Sequence, residues 1–428
     1  MYNKTPAPSA QSRLMAGKIW DVVVIGGGPA GMMAAGRAGE LGRSVLLLEK
    51  NSSLGKKLLI SGGGRCNLTN NRPNVRAMLA KYKGNPKFLF STFSQFNADD
   101  AINFFNKRGM ETKEEEEGRI FPVSNRSQSV LDALVGYMKD SGVQIQANSV
   151  VTGFTFLKEK NIFSIQLADK SKISAKACVV ATGGTACPET GSTGEGFDWL
   201  KKMGHTIAVN NYALVPIALK DAWVKKIAGV TLKDIRLSVY QDGKKHDVQP
   251  GKLLFTHFGI SGPTVLNMSK DIGDLLREGE VVVRLDLFPK KDHEALKKEL
   301  QTLLVAESNK KIKNTLGNLI PSALAAELLE LAGVDGETFN HSVRHEERVK
   351  LVALIKNIPL NVKGLLGKDK AVVSSGGVTP VEVDFKTMQS RLVPNLFIIG
   401  DVLNIDRPSG GYSLQLCWTT GFVAGSSI

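Results

Sequence analysis

Several features that mark common protein classes are scarce or missing in this sequence. It has four cysteines among 428 residues, and none forms a Cys-x-x-Cys pair. This spacing predicts a reduced, cytoplasmic protein with neither a disulfide framework nor a metal cluster. No run of about 18 apolar residues occurs, so the sequence excludes a membrane-spanning helix. The start of the chain is polar and lacks a signal-peptide pattern, so we expect residues 1–19 to form a flexible leader.

The charge balance is strongly basic, with 55 Lys and Arg against 41 Asp and Glu, a net charge of +14. Such an excess favours an anionic partner or the electrostatic steering of acidic small molecules. The basic residues are scattered, and the chain has neither a basic arm nor a repeat of aromatic and basic residues. We therefore do not expect nucleic acid or a membrane as a partner, although RNA is kept as an alternative.

The first regular segment of the chain predicts a β-α-β unit. The apolar run 21–25 is typical of a strand buried on both faces, and Ser44–Leu48 is a second such run. Between them, Gly26–Gly31 precedes an Ala- and Met-rich helical stretch that ends near Gly42. Glu49 directly follows the second run and ends the unit.

This unit carries the fingerprint of a dinucleotide-binding site. In Gly26-x-Gly28-x-x-Gly31 the glycines permit the tight turn, the approach of a pyrophosphate and close helix–strand packing. The free N–H groups and the dipole of the helix N-terminus attract phosphate. Glu49 can accept hydrogen bonds from ribose hydroxyls. The alternative is a glycine-rich surface turn followed by a chance acidic residue.

A second patch near the C-terminus favours FAD over NAD. The buried run 395–399 ends in Gly400-Asp401, and such an aspartate can hold a ribityl hydroxyl. No second Gly-x-Gly-x-x-Gly follows a strand, so a separate NAD(P) domain is not expected. A terminal helix over 414–424 would point its N-terminus at the isoalloxazine and stabilise negative charge there. The alternative is an ordinary capped C-terminal helix.

The glycine-rich segment 61–70 suits a loop that lies against pyrophosphate and flavin. Arg65 could neutralise a phosphate or bind an acidic substrate. Cys66 lacks a second thiol a few residues away, which favours a packing role, with redox chemistry as the alternative.

Between the two halves of the nucleotide-binding domain, the pattern changes to alternating strands and amphipathic helices. Residues 75–140 look mostly helical, as do Asp292–Lys310, Pro321–Leu331 and His345–Ile355. His341 and His345 would share one helix face. The predicted domains are a split FAD-binding domain of residues 20–207 and 371–428, a barrel-like β domain of residues 208–288 and 352–370, and a helical subdomain of residues 289–351.

Longer motifs resemble the YhiN/BaiN-like flavoproteins, a bacterial family of aminoacetone-oxidase-like FAD-dependent oxidoreductases. The matching stretches cover residues 20–425; they are the fingerprint with Glu49, and the blocks 55–70, 118–124, 181–196, 253–263 and 376–421. The resemblance implies an α/β fold, in which a glutathione-reductase-like Rossmann domain is interrupted by a barrel-like β domain and a small helical domain. Asp401 stands where the family usually has Glu, Asn404 where it has Asp, and Glu195 where it has Asp.

The expected FAD contacts come from the fingerprint and from the resemblance. The fingerprint gives Gly26, Gly28, Pro29, Ala30, Gly31 and Glu49. The resemblance adds Lys50, Ser61, Gly62, Gly63, Arg65, Cys66, Asn67, Val151, Ala181, Thr182, Gly183, Asp401, Gly411, Tyr412, Ser413 and Leu414.

The predicted function is hydride transfer between flavin N5 and a small organic substrate, either a conjugated enone or an amine. NADH or NADPH is considered as a transient donor. His257 is the first candidate for the proton-transferring group because histidine titrates near neutral pH, and Arg119 and Tyr412 are candidates for orienting the substrate. The alternatives are a flavoprotein that acts on RNA and a flavin-binding sensor without turnover.

Overall fold

The computed structural model describes residues 18–83, 87–208, 212–367, 373–374 and 376–428. Most of the expected leader and residues 371–372 of a predicted strand lie outside these ranges. The chain divides into two compact units, one of Met1–Tyr212 with Val373–Ile428 and one of Ala213–Val372. No helix in the described ranges is long and apolar enough to cross a membrane.

The strands are numbered in chain order. They are β1 Ile19–Ile25, β2 Val45–Leu48, β3 Thr69–Asn70, β4 Thr112–Glu115, β5 Arg119–Pro122, β6 Gln144–Gln146, β7 Val151–Leu157, β8 Ile162–Leu167, β9 Lys172–Val180, β10 Ile207–Ala208, β11 Tyr212–Ala213, β12 Ile217–Leu219, β13 Thr231–Gln241, β14 Lys244–Thr256, β15 Gly259–Ser261, β16 Val281–Asp286, β17 Ile358–Leu365, β18 Val373–Ser374, β19 Gly377–Val378, β20 Val383–Asp384, β21 Gln389–Ser390 and β22 Leu396–Ile398.

The α-helices are numbered in the same way. They are α1 Pro29–Glu40, α2 Lys56–Ile60, α3 Val75–Leu79, α4 Lys87–Gln95, α5 Ala98–Asn106, α6 Ser127–Asp140, α7 Glu195–Lys202, α8 Pro263–Leu275, α9 His293–Ala306, α10 Ile312–Leu316, α11 Ser322–Ala332, α12 His345–Lys356 and α13 Tyr412–Ser427.

The first unit is built on a sheet whose central strands are parallel. Its order is β20-β21-β22-β9-β1-β2-β6, and Val24 pairs with Leu47 on one side and with Val179 on the other. The side chains of β2 are all buried, as expected for a strand that is covered on both faces. The β1–α1–β2 unit, predicted from the sequence, is confirmed. Because β1, β2, β9 and β22 run parallel, their carboxyl ends meet at one edge of the sheet.

Helix α13, from the C-terminus, packs directly on α1, from the N-terminus. A Cβ atom added at Gly421 would lie 2.5 Å from the carbonyl oxygen of Ala30, and one at Gly425 would lie 2.6 Å from that of Ala34. Two helices can approach this closely only where side chains are absent or small. Trp418 and Val423 are fully buried in the same core.

The prediction that residues 75–140 are mostly helical is wrong for part of this range. Residues 112–122 form β4 and β5, which join β3 in a three-stranded antiparallel sheet. The sequence pattern did not indicate this short sheet, because the charged side chains of the acidic run 114–117 do not alternate with apolar ones.

The second unit contains a closed barrel of six strands in the order β12-β15-β14-β13-β16-β17. Alternate residues of β13 and β16, such as Leu237 and Val283, are buried in its core. Helices α9–α12 lie between β16 and β17 in the chain, and Leu300, Leu328 and Leu351 belong to the same apolar core. The predicted barrel-like domain and helical insertion are therefore present in this unit.

The expectation that His341 and His345 share a helix face is wrong. His341 lies in the short 3₁₀ helix Asn340–Ser342, whereas His345 is the first residue of α12. The helix predicted over His345–Ile355 begins where α12 begins, so His341 lies before it, and Glu347 caps this start by accepting from Arg344 N at 2.8 Å.

We predict that Gly421→Ala destabilises the first unit by about 1–3 kcal/mol, because the new methyl group would force α13 away from α1. Gly136→Ala in α6 is the matched control, since a Cβ atom there meets nothing within 4 Å. The control should be neutral or more stable by up to about 1 kcal/mol. Urea unfolding measures both variants, and equal midpoints for the two would contradict the close packing of α13 on α1.

Candidate functional site

The predicted cofactor residues follow the carboxyl ends of the parallel strands in the first unit. Gly26 follows β1, Glu49 follows β2, Ala181 follows β9 and Gly400 follows β22. This edge, where the connections between the strands diverge, is the usual ligand-binding edge of an open parallel sheet. The fold therefore brings together residues that are up to 374 positions apart in the chain.

The loop between β1 and α1 leaves space for a phosphate group. A Cβ atom at Gly26 would lie 2.5 Å from the carbonyl oxygen of Ala181, so this position requires glycine, and its φ is +110°. A Cβ atom at Gly28 would meet nothing within 4 Å, which leaves open space beside the loop. Helix α1 begins at Pro29 with no side-chain cap on its N-terminus, which is the end of a helix that attracts an anion.

The carboxylate of Glu49 is buried and held in one orientation. Its Oε2 accepts a hydrogen bond from Gly27 N at 2.8 Å. Its Oε1 accepts two from Asn51, from the backbone N at 2.8 Å and from Nδ2 at 2.7 Å. Because Oε1 already accepts two hydrogen bonds and Oε2 accepts one, Oε2 keeps lone-pair capacity for a ribose hydroxyl. Sequence reasoning missed Asn51; its only signal was its position two residues after the acidic group.

Lys50 and the loop 183–196 lie next to this carboxylate. Lys50 Nζ donates to Thr193 Oγ1 at 2.9 Å and to Glu195 Oε2 at 3.0 Å. Asn51 Nδ2 also donates to Thr190 O at 3.1 Å. The loop is therefore fastened to the end of β2, at the predicted adenosine end of the site.

The end of β9 holds a buried polar atom without a partner. Thr182 Oγ1 has no hydrogen-bond partner in the described residues. A buried hydroxyl in this state is costly unless a ligand group satisfies it. Gly183, the next residue, has φ +74° and packs on Ser192. Val151, predicted to touch adenine, is the buried first residue of β7.

Asp401, predicted to bind ribityl, is paired with a buried arginine. Arg407 Nη2 donates to Asp401 Oδ1, while Nη1 donates to Ile405 O at 2.6 Å and Nε donates to Ser413 Oγ at 3.1 Å. Asp401 Oδ2 takes part in none of these bonds. Burial lowers the pKa of the nearby Lys57 ammonium, and the negative charge of Asp401 opposes this shift. Neither Arg407 nor Lys57 was singled out from the sequence.

The segment 61–70 is anchored by α13 and the loop before it. Trp418 Nε1 donates to Leu68 O at 2.9 Å, and Thr69 Oγ1 donates to Gln415 Oε1 at 2.6 Å. Asn70 Nδ2 donates to Gly410 O at 3.0 Å. The side-chain nitrogen of Asn67 donates to Thr69 O, and its side-chain oxygen accepts from Gly411 N at 3.1 Å.

Other predicted residues of this segment are bound within the protein. Arg65 pairs with Glu115, donates to Asn125 Oδ1 and stacks 4.2 Å above the ring of Phe121. Ser61 Oγ donates to Leu58 O at 2.7 Å. Gly62 and Gly63, with φ of +57° and +67°, lie exposed in the 3₁₀ stretch Ser61–Gly64.

Cys66 has the properties of a packing residue. It is fully buried, and burial raises the pKa of its thiol to about 12. At neutral pH such a group is a thiol and not a nucleophilic thiolate.

The three residues predicted to act in catalysis lie in different places. Tyr412 opens α13, and its hydroxyl accepts a hydrogen bond from Arg72 Nε at 2.9 Å, while Leu414 lies half-buried in the same turn. Arg119 Nε donates to Glu116 O at 3.0 Å. His257 is exposed in the turn between β14 and β15 of the second unit.

FAD fits the donor set of the first unit. The open loop at Gly28 and the uncapped α1 suit a pyrophosphate, and Glu49 suits a ribose. The Thr182 hydroxyl, which has no partner among the described residues, and Asp401 Oδ2, which does not bond Arg407, suit further polar groups of the cofactor. Bound FAD would supply hydride transfer at this edge of the sheet.

We predict that Asn51→Ala weakens FAD binding about tenfold, because Glu49 loses a donor that fixes its orientation. Glu49→Ala should weaken it further, since the ribose then loses its acceptor. Glu40→Gln is the control, because its carboxylate bonds only Arg37 and Tyr137 in the described residues. Fluorescence titration of the apoprotein with FAD gives the dissociation constants. Equal constants for Asn51→Ala and Glu40→Gln would contradict the role of Asn51.

Comparison with known proteins supports the same cofactor. The sequence model of the family described as "HI0933-like protein Rossmann domain" matches residues 20–427. The "Ribosomal RNA dihydrouridine synthase" of Escherichia coli is 30% identical over 96% of this chain and 98% of its own. The "3-dehydro-bile acid delta(4,6)-reductase" of Clostridium scindens is 32% identical over 94% of this chain and 97% of its own.

Among solved structures, the fold is similar to that of 3-ketosteroid delta1-dehydrogenase from Sterolibacterium denitrificans. The TM-score is 0.55 at 13% identity, with 95% of this chain and 98% of that chain covered. The match to the family extends over both units. The chain therefore belongs to the HI0933-like family of FAD-dependent oxidoreductases.

Proposed function

We propose that this protein reduces a carbon–carbon double bond that is conjugated with a carbonyl group. The observation that carries this proposal is that two relatives, each matched over nearly the whole chain, have names that describe this one reaction. Dihydrouridine forms when the C5–C6 double bond of uracil, conjugated with the C4 carbonyl, is saturated. A delta(4,6)-reductase of a 3-dehydro bile acid saturates ring double bonds conjugated with a 3-oxo group.

Uracil within ribosomal RNA is our first candidate substrate. The net charge of +14 favours a polyanion, whose phosphates attract basic proteins strongly at low salt. The scattered spacing of lysines along the sequence argued against nucleic acid, but spacing in sequence does not determine which charges meet on the folded surface. A small enone such as a 3-oxo steroid is the second candidate, and it is favoured by the bile-acid relative.

The reaction adds a hydride to the β-carbon and a proton to the α-carbon of the conjugated system. Bound FAD would supply the hydride. The proton needs a donor, and Tyr412 has the properties of one. Burial raises the pKa of its phenol, so the hydroxyl is protonated at neutral pH. Arg72 donates to its oxygen, and none of the hydrogen bonds of the described residues uses its proton.

Arg72 would then act as a positioning residue. Its positive charge lowers the pKa of Tyr412, opposing the effect of burial, and would stabilise the phenolate after proton transfer. The Tyr82 hydroxyl donates to Tyr412 O at 2.8 Å, which fixes the backbone of the same residue.

We predict that Tyr412→Phe lowers kcat about a hundredfold and leaves FAD content unchanged, because only the proton source is lost. Arg72→Gln should also lower kcat, though by less, because the phenolate formed by proton transfer loses the positive charge that stabilises it. Stopped-flow rates of substrate reduction measure both effects, and flavin absorbance measures the FAD content. If His257→Gln abolishes turnover and Tyr412→Phe retains it, the proton donor is His257 and the assignment to Tyr412 is wrong.

We predict that NADH or NADPH reduces the flavin anaerobically and that uracil in ribosomal RNA then reoxidises it. Mass spectrometry of nucleosides from a digest of unmodified ribosomal RNA should reveal dihydrouridine only when enzyme and donor are both present. The parallel reaction uses a 3-oxo-Δ4 steroid. Reduction of the steroid with no dihydrouridine would favour the second candidate, and reduction of neither would contradict the proposed reaction class.

A further inference from the structure

The outer face of the barrel carries a strip of cations that crosses three strands. In β13 Leu237 and Val239 point into the core, so the alternating Tyr240 points outward. Tyr240 pairs with Lys245 of β14 on one side and with Val282 of β16 on the other. Arg284 lies two residues beyond Val282 and therefore on the same face.

The Tyr240 ring holds the two cations of this strip. Lys245 Nζ lies 5.8 Å from the ring centroid, and Arg284 Cζ lies 5.1 Å from it. Both distances are within the range of cation–π attraction. The ring thus fixes the positions of two charges that come from different strands.

Neither cation is neutralised by a residue that the structure describes. Among the described residues, Lys245 and Arg284 take part in no ion pair. Arg284 Nε is in addition a buried N–H group without an acceptor. The guanidinium remains charged, and an anionic oxygen is the partner that a guanidinium binds best.

The acidic side chains nearby do not supply that partner. Asp286, on the same face of β16, is paired with Lys356 at 2.8 Å. Asp247 folds back on its own strand, where Oδ1 accepts from Val248 N at 2.7 Å and from Gln249 Nε2 at 3.1 Å. The strip therefore remains positive, and exposed Lys244 adds to the charge at the end of the β13–β14 hairpin.

We propose that this basic strip, formed by Tyr240, Lys245 and Arg284, binds the phosphate backbone of RNA. The proposal rests on the proposed function, since it names the surface that would hold an RNA substrate. Phosphate oxygens complement the positive charge of the strip, which the exposed Lys245 carries to the surface. Backbone contacts of this kind position the RNA and carry no sequence information.

The test is the salt dependence of binding to a fluorescein-labelled ribosomal RNA fragment, followed by fluorescence anisotropy. Lys245→Gln and Arg284→Gln should each weaken binding about tenfold at 50 mM salt. Each should also reduce the slope of log K against log salt by about 0.7, the contribution of one lost phosphate contact. Tyr240→Ala should weaken RNA binding as much as the loss of both cations does, because neither cation is then held in place. Tyr240→Phe keeps the ring and should bind RNA as tightly as the wild type does.

Lys298→Gln is the matched control, because it removes one exposed charge from α9 and should leave both affinity and slope unchanged. FAD content and anaerobic reduction by NADPH should be unaffected in every variant, since the cofactor residues belong to the first unit. Wild-type affinity in Lys245→Gln and Arg284→Gln, while the wild type forms dihydrouridine, would overturn the assignment of this surface alone. A wild type that neither binds RNA nor forms dihydrouridine would overturn the RNA substrate as well.

Discussion

The close approach of α13 to α1 is the constraint on which the candidate site depends. Glycine at 421 and 425 lets the last helix lie against the backbone of the first. A Cβ atom at either position would lie only 2.5–2.6 Å from a carbonyl oxygen of α1. This packing sets the start of α13 beside the segment 66–70, to which it is bound by Trp418 and Gln415. The two ends of the chain then present one set of polar groups at the edge of one sheet. Neither end contains a complete site by itself.

Each of the candidate site residues Glu49, Asp401 and Tyr412 is held by a partner that no motif identifies. Glu49 is oriented by Asn51, and Asp401 is neutralised by Arg407. Tyr412 receives a hydrogen bond from Arg72. These partners convert flexible side chains into fixed donors and acceptors before a ligand arrives, which lowers the entropic cost of binding. The chemistry of the site therefore rests on residues around it as much as on those that would touch FAD.

The parts of the fold that the sequence predicted are those with a strong local signal. The apolar runs at β1 and β2, the glycines between them and Glu49 fix a β-α-β unit without reference to the rest of the chain. Asp401 was identified because it ends a buried strand. By contrast, the small sheet β3-β5-β4 has short strands with several charged residues, and its pairing depends on contacts between residues 69–70 and 119–120, which are far apart in the chain. The partner roles of Asn51, Arg72 and Arg407, and the pairing of Arg65 with Glu115, arise only when the chain folds, because no periodicity encodes them.

The central claim is that one FAD is held between the two ends of this polypeptide. The most direct measurement is the flavin content of the purified protein, with the cofactor released by heat, identified by chromatography and quantified against protein concentration. The account predicts one FAD per chain, either as purified or after reconstitution. Protein that is folded, colourless and unable to take up FAD would contradict it.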